Sequence, residues 1–598
     1  MDSKNLPVLF LSVKCSIFTI MKLTSAKSFS LSHPRLFTAI FAAAVFVVSI
    51  IALNFVGGDS LRYLEHWRTF YYTWGDISQI SLKIGGASQL VADFLLQFFV
   101  IKGAGIIITS ALMAVATLTL WKTMERIQVG RALWPLALLP VVALAVNHLN
   151  VNYLQGGTIG FIASLAALNI EQRTPFVTVA VAAVLFFLAG PVAMLFALVA
   201  LINDSTTLKK GLAGLLYPLS VVTLGALSVA LGWLPSLKMA LTPAGYYTLT
   251  PEIAPIHIYP WIFALALLLL AAAVRALKLD EKIGKRSGRA VAVLASVALL
   301  SAGPMLGKAH INQSEETFKR LSCSARDSDW ESLASQCRPL KKPNMLYRNF
   351  QNLAFAGKGI LADEMFRYPC VDLRTLVEPM SRTAPPVNAL NSDIYYMMGC
   401  VYEAQHLAFE TFVATGNLSP RMLQRLVETN LLFSQWDVAS KYLDRLSHTL
   451  FYRNWAAEKS ALIGNEHLVA ADPELGPLQR CVSRDFDTIY DFAGALENVV
   501  ASNPDYDRAV QYLGCCHILF SQFDALESLV AAHYGGKIIP LAFEQALALY
   551  YYSTGDRDKF EKLSPEICRE FEKWISSRSP EKDNVWYFIV TSQNRNEK

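Results

Sequence analysis

RLFTAIFAAAVFVVSIIALNFVGGDSLRYLEHWRTFYYTW, Arg35 to Trp74, is the stretch on which the fold turns. From Leu36 to Val56 it carries no charge and is predominantly apolar, about the length that crosses a hydrocarbon core of roughly 30 Å as a helix. Directly after it come Asp59, Arg62, Glu65 and His66, set among aromatic residues. A chain that leaves an apolar span straight into titratable side chains places those groups at a membrane surface.

Working outward, the chain has 598 residues, 53% hydrophobic and 17% charged, too long for one ordinary domain and too apolar for a wholly soluble one. Residues 1–306 hold 22 Lys and Arg against 11 Asp and Glu, whereas the remainder holds 31 against 37. The apolar half is therefore the basic half, as expected when Lys and Arg gather in cytoplasmic loops. Those basic residues are scattered between spans and form no stripe, which argues against a nucleic-acid partner.

Hydropathy predicts nine spans, near 36–56, 104–121, 133–147, 157–170, 175–189, 191–203, 211–234, 260–277 and 290–306. Lys14, Lys22, Lys27 and Arg35 precede the first, which puts the tail 1–35 in the cytoplasm. Lys122, Arg126, Arg131, Arg173, Lys209 and Lys210 fall on the same side. RALKLDEKIGKRSGR, Arg275 to Arg289, agrees with six basic residues against two acidic. An odd number of spans then places residues 307–598 outside the cytoplasm. The expected layout is all-α: a transmembrane domain, 36–306, with an interfacial first outer loop, 57–103, followed by a helical-repeat domain, 307–598.

The second half has amphipathic helical periodicity broken by polar turns. LYRNFQNLAFAGKGILADEMFRYP (346–369) reads as helix, Gly turn, helix. LLFSQWDVASKYLDRL recurs in altered form 87 residues later as ILFSQFDALESLV. Tyr395, Met398, Gly399 and Tyr402 have the spacing of a tetratricopeptide first helix. Helical hairpins of about 34 residues, each buried only against its neighbour, would make a curved array. Such an array can present a surface to a protein partner or simply pack on the membrane domain.

Eight of the nine cysteines lie in this half. An oxidising compartment permits disulfides, and Cys323 with Cys337, flanking SCSARDSDWESLASQC, is the candidate pair. Burial as small hydrophobes is the equal alternative. The chain has no CxxC, P-loop, GxSxG or HExxH.

The predicted topology gathers Asp59, Glu65, His66, His148 and His257 on the outer face. Carboxylates and imidazoles there can bind a divalent metal ion or act as general bases. Asp59 is the candidate catalytic and metal-binding residue, and Glu65 its helper. Arg62, His66, His148 and His257 are candidate substrate contacts. Plain interfacial placement is the competing reading, and for His148, in NHLNVNYLQGG, the simpler one.

The long first outer loop, with its stretches SLRYLEHWRTFYYTW and ISLKIGGASQLVADFLLQFFV, resembles in layout the lipid-dependent glycosyltransferases of the GT-C type. The resemblance implies an acid at Asp59 and a polyprenyl-phosphate-linked sugar donor. The usual paired acids are missing, since Ser60 follows Asp59. GGASQLVADFLLQFFV, LAGPVAMLFALVALI and LYRNFQNLAFAGKGILADEMFRYP are similar to an uncharacterised multi-pass membrane family of Bacteroides-type bacteria. That similarity implies an inner-membrane protein with a periplasmic tail domain and supplies no activity. Two functions follow as expectations: sugar transfer at the outer leaflet, or a non-catalytic scaffold for envelope assembly.

Overall fold

A computed structural model describes residues 34–127, 131–150, 152–170, 174–205, 208–247, 255–277, 312–338, 344–379, 384–482, 492–577 and 581–596. Among these residues the chain is helical, without strands. It divides into two compact units, 1–316 with 449–451, and 317–448 with 452–598.

In the first unit the helices are α1 (Pro34–Leu64), α2 (Trp74–Ser81), α3 (Gly86–Leu96), α4 (Ala104–Arg126), α5 (Leu138–Asn147), α6 (Gly156–Leu168) and α7 (Pro175–Ala189). They continue as α8 (Ala193–Asp204), α9 (Leu208–Gly214), α10 (Leu216–Ala230), α11 (Leu237–Leu241), α12 (Pro243–Tyr246) and α13 (Tyr259–Ala276). Trp121, Phe161, Phe186, Phe196 and Leu268 are among the side chains of its main buried core. Hydroxyls inside α4 are satisfied locally: Thr117 donates to the Met113 carbonyl at 2.8 Å and Thr123 to that of Thr119 at 2.9 Å. This is how an apolar helix tolerates polar side chains.

Where nine spans were expected, five stretches among the described residues are long and apolar enough to cross a membrane, Thr38–Phe55, Ala104–Arg126, Pro175–Asp204, Lys209–Ala230 and Tyr259–Ala276. The expected spans at 133–147 and 157–170 form shorter apolar helices, as does 86–100 within the expected outer loop. The stretch 175–204 is broken at Gly190, whose φ of +77° ends α7. α7 and α8 then pack on each other and both on α10. The ninth expected span, 290–306, and residues 1–33 of the expected cytoplasmic tail lie outside the described residues.

The second unit is built of helices 4 to 14 residues long, and many neighbours in sequence pack together. The repeated motif makes a repeated turn. Ser434 and Ser521, in LFSQW and LFSQF, have φ of +54° and +57°. Each is followed by a Gln whose amide reaches the carbonyl five residues back, at 2.8 Å in both turns. This is the helix-ending arrangement usually given to Gly.

Contacts also run beyond sequence neighbours. The helix Leu361–Glu364 packs on Asp507–Leu519 and Leu541–Thr554. The Ala362 amide donates to Gln511 Oε1 at 3.1 Å, Gln511 Nε2 to the Gly359 carbonyl at 2.9 Å, and the Leu541 amide to Asp363 Oδ1 at 2.8 Å. These links join early and late parts of the unit and cross-tie it, alongside the packing of sequence neighbours. Cys323 and Cys337, the expected disulfide candidates, are both buried, on the consecutive helices Gln313–Arg326 and Trp330–Cys337.

Candidate functional site

α1 does not stop where the sequence suggested. It runs through Gly57 and Gly58 to Leu64, so Asp59 stands on a helix and not on a loop. Glycines inside a helix cost about 1 kcal/mol each relative to Ala. Gly58 is compensated by closeness, since a Cβ there would lie 3.3 Å from Ile106 of α4, and α1 packs along α4. At 1.5 Å per residue α1 is about 46 Å long, which outruns the roughly 30 Å hydrocarbon core.

Helical geometry also separates the two expected acids. Six residues turn a helix by about 240°, which puts Asp59 and Glu65 on different faces. Asp59 is exposed, whereas Glu65 and His66 are fully buried. Arg62, between them, is partly buried. The His66 ring packs on Tyr63, with centroids 5.0 Å apart, and beside Trp67. Among the described residues no group of three or more His, Cys, Asp or Glu side chains is placed to hold a metal ion.

The polar centre of the first unit lies elsewhere. Thr73 caps α2 and exchanges hydrogen bonds with Asp76, which sets the chain up to return as α3. Its residue Asp93, 1% exposed, receives Arg68 in a two-pronged pair, Nε–Oδ1 2.5 Å and Nη2–Oδ2 2.8 Å. Gln89 Nε2, one turn earlier on α3, donates to the same Oδ1 at 2.6 Å. A charge-assisted, bidentate bond is among the strongest a carboxylate makes. It offsets the large cost of taking both charges out of water.

The loop between α5 and α6 closes over this pair. A cavity of about 20 Å³, lined among others by Trp67, Arg68, Gln89, Asp93, Tyr153 and Gln155, lies beneath it, with room for about one water molecule. Gln155 is 4% exposed, and among the described residues neither its amide oxygen nor its amide nitrogen has a hydrogen-bond partner. Arg68 uses Nε and Nη2 on Asp93, leaving Nη1 without a bond among the described residues. The glycines after Gln155 allow the closure. A Cβ at Gly156 would lie 2.5 Å from Gln89 Oε1, and one at Gly157 would lie 2.6 Å from the Tyr153 hydroxyl.

Two of the expected histidines meet beside this cavity. His148 caps the C-terminus of α5, and its Nε2 lies 2.7 Å from Thr158 Oγ1, which is also 3.2 Å from the Tyr153 hydroxyl. The Tyr153 ring sits between His148 and His257, with centroids 5.3 and 5.4 Å away. Asn147 Nδ2 reaches the His257 carbonyl at 3.3 Å and ties the two loops together. Both imidazoles are 1% exposed. Burial lowers their pKa, to about 3 for His148 and about 4 for His257, so both are neutral at physiological pH. Among the described residues, His148 Nδ1 and both ring nitrogens of His257 have no hydrogen-bond partner.

The sequence reading put His148, His257 and Asp93 on one face without singling out Asp93, and it did not name Arg68, Gln89, Tyr153 or Gln155. One signal for Asp93 was available: it is the sole charge in GGASQLVADFLLQFFV, and an acid in such a setting demands a partner. Nothing comparable marked Gln155. An uncharged amide in a Gly-rich loop looks like ordinary solvent-facing sequence.

No curated protein and no solved structure matches the chain. The model of DUF6057, a family of unknown function, matches residues 32–590. The chain therefore belongs to that family, which spans both units.

Proposed function

We propose that this protein is a multi-pass protein of a bacterial inner membrane that transfers a sugar from a polyprenyl-phosphate-linked donor at the outer leaflet. In this reading the N-terminus is cytoplasmic and the second unit is periplasmic. One observation carries it. In the segment after the first span, a buried Arg68–Asp93 pair adjoins a cavity where Gln155 offers an unbonded amide and Arg68 an unbonded Nη1. Buried polar atoms without partners are rare and call for a ligand or water. A guanidinium nitrogen is a suitable donor to a phosphate oxygen, where it stabilises charge growing on a leaving group. Asp59, exposed on α1 about 7.5 Å along the axis before Leu64, which lines the cavity, is the candidate base for the acceptor hydroxyl. No step requires a metal ion in this scheme, although a divalent ion on Asp59 fits the same role.

The test is a mass-spectrometric profile of envelope glycans and glycolipids. Cells lacking the gene are compared after restoration with wild type, Asp59→Asn or Gln155→Ala at equal protein level. The reading expects one species to vanish in the deletion and to return only with wild type. Full restoration by both variants, or an unchanged profile in the deletion, overturns it.

A second reading, a non-catalytic scaffold whose second unit binds envelope-assembly proteins, is favoured by a different observation. Tyr402, Phe409 and Val413 are exposed on one face of the helix Val401–Ala414. An apolar stripe of that type suits a protein partner. This reading expects Asp59→Asn to be tolerated and Phe409→Glu to abolish function.

A further inference from the structure

Two buried cysteines, Cys400 and Cys481, converge from distant parts of the second unit. Gly399, with φ of +85°, ends the helix Pro385–Met398. A Cβ on Gly399 would lie 3.1 Å from both Cβ and Sγ of Cys481. The next residue, Cys400, caps the helix Val401–Ala414. Cys400 is 3% exposed and Cys481 1%.

The surroundings hold this approach in place. The Tyr506 hydroxyl donates to the Met397 carbonyl at 2.8 Å, on the turn that leads into Cys400. Asn503 Nδ2 reaches the Pro477 carbonyl at 3.0 Å and Cys481 Sγ at 3.5 Å. Both thiols stand within electrostatic reach of Tyr506 and of each other.

We propose that Cys400 and Cys481 are joined as a disulfide in the protein as it exists in its membrane. The bond would tie the hairpin 385–414 to the segment that ends at Cys481. It rests on the periplasmic placement of the second unit, where protein disulfide oxidants act. One thiolate attacks the oxidant's disulfide, giving a mixed disulfide and releasing one thiolate of the oxidant. The second cysteine thiolate then attacks the mixed disulfide and releases the other. Two protons leave the cysteines, and two electrons reduce the oxidant to its dithiol. Burial raises the pKa of both thiols, so the exchange belongs to folding, before the pair is covered.

The experiment uses the full chain in its native membranes. Cells are quenched in acid, and the denatured protein is alkylated with N-ethylmaleimide and digested without reductant. A cross-linked peptide pair containing Cys400 and Cys481 is sought by mass spectrometry. In parallel, protease added to intact spheroplasts reports whether the second unit is outside. The proposal expects the cross-linked pair, its loss on reduction, and no maleimide on either residue in most molecules. Alkylation of both residues, or a bridge from either one to a different cysteine, overturns it. If the thiols are free and the second unit is cleaved from outside, the pairing alone fails. If they are free and the unit is protected, the periplasmic placement fails with it.

Discussion

Replacing the two charges of the Arg68–Asp93 pair, singly and together, examines the buried site most directly. In Arg68→Met the Asp93 carboxylate, 1% exposed, keeps only the Gln89 donor. A buried charge stripped of its partner costs about 3–5 kcal/mol, so about 4 kcal/mol is expected. In Asp93→Leu the guanidinium left behind is 15% exposed and can turn towards water, so about 2 kcal/mol is expected. The double variant removes both charges but leaves Gln89 and Gln155 facing apolar neighbours, for a loss of about 3 kcal/mol. The two sites are thus coupled by about 3 kcal/mol. The assay is unfolding of the full chain in mixed micelles with increasing sodium dodecyl sulfate, followed by tryptophan fluorescence, with Trp67 on the cavity wall. Effects that add to within about 0.5 kcal/mol would show that the pair is not a functional unit of the fold. A larger loss in Asp93→Leu than in Arg68→Met would refute the reasoning from exposure.

Three further outcomes are expected. Ser521→Gly stabilises the second unit by about 1 kcal/mol, because φ of +57° strains any residue with a Cβ. Ser434→Gly gains less, since it also loses the 2.8 Å bond from the Ser434 hydroxyl to Glu466, and chemical denaturation of the full chain ranks the two. Gly514→Ala destabilises by about 1–3 kcal/mol despite the better helix former, because its Cβ would lie 2.2 Å from Cζ of the buried Phe543. Phe543→Leu should restore part of that loss if crowding is the cause. Glu403→Gln gains stability at pH 8 and loses the gain towards pH 4. Burial raises the Glu403 pKa in the fold, so the folded state holds its proton more tightly than the unfolded chain. The wild type is therefore destabilised as pH rises above the unfolded value of about 4.3, and the glutamine variant is not. A flat difference between the two across that range, in thermal unfolding at several pH values, would contradict the assigned cause.

Much of the architecture was written in local pattern. The uncharged run before Val56 predicted a span at 36–56, and the structure has an apolar helical window at Thr38–Phe55. The LFSQ repeat announced a hairpin turn, and both copies make the same one. Even the separation of Asp59 from Glu65 was available, because six residues on a continuous helix cannot share a face. The sequence missed it by taking Gly57–Gly58 as the end of the helix, when tight packing on α4 carries the helix through them.

Tertiary structure decided what local pattern cannot encode. Arg68 and Asp93 lie 25 residues apart and meet only because α2 and α3 fold back across the end of α1. Tyr153 finds both His148 and His257 because two loops converge, although His257 is 110 residues from Asn147, whose side chain ties them. The contacts that close the second unit span 149 to 178 residues. A helix records its buried face in the 3.6-residue period of its own sequence. The identity of whatever covers that face is set by which distant segment fits against it. Composition and periodicity therefore determined the helices and the division into an apolar half and a polar half. Packing determined which polar side chains share a cavity, and so which residues are candidates for chemistry.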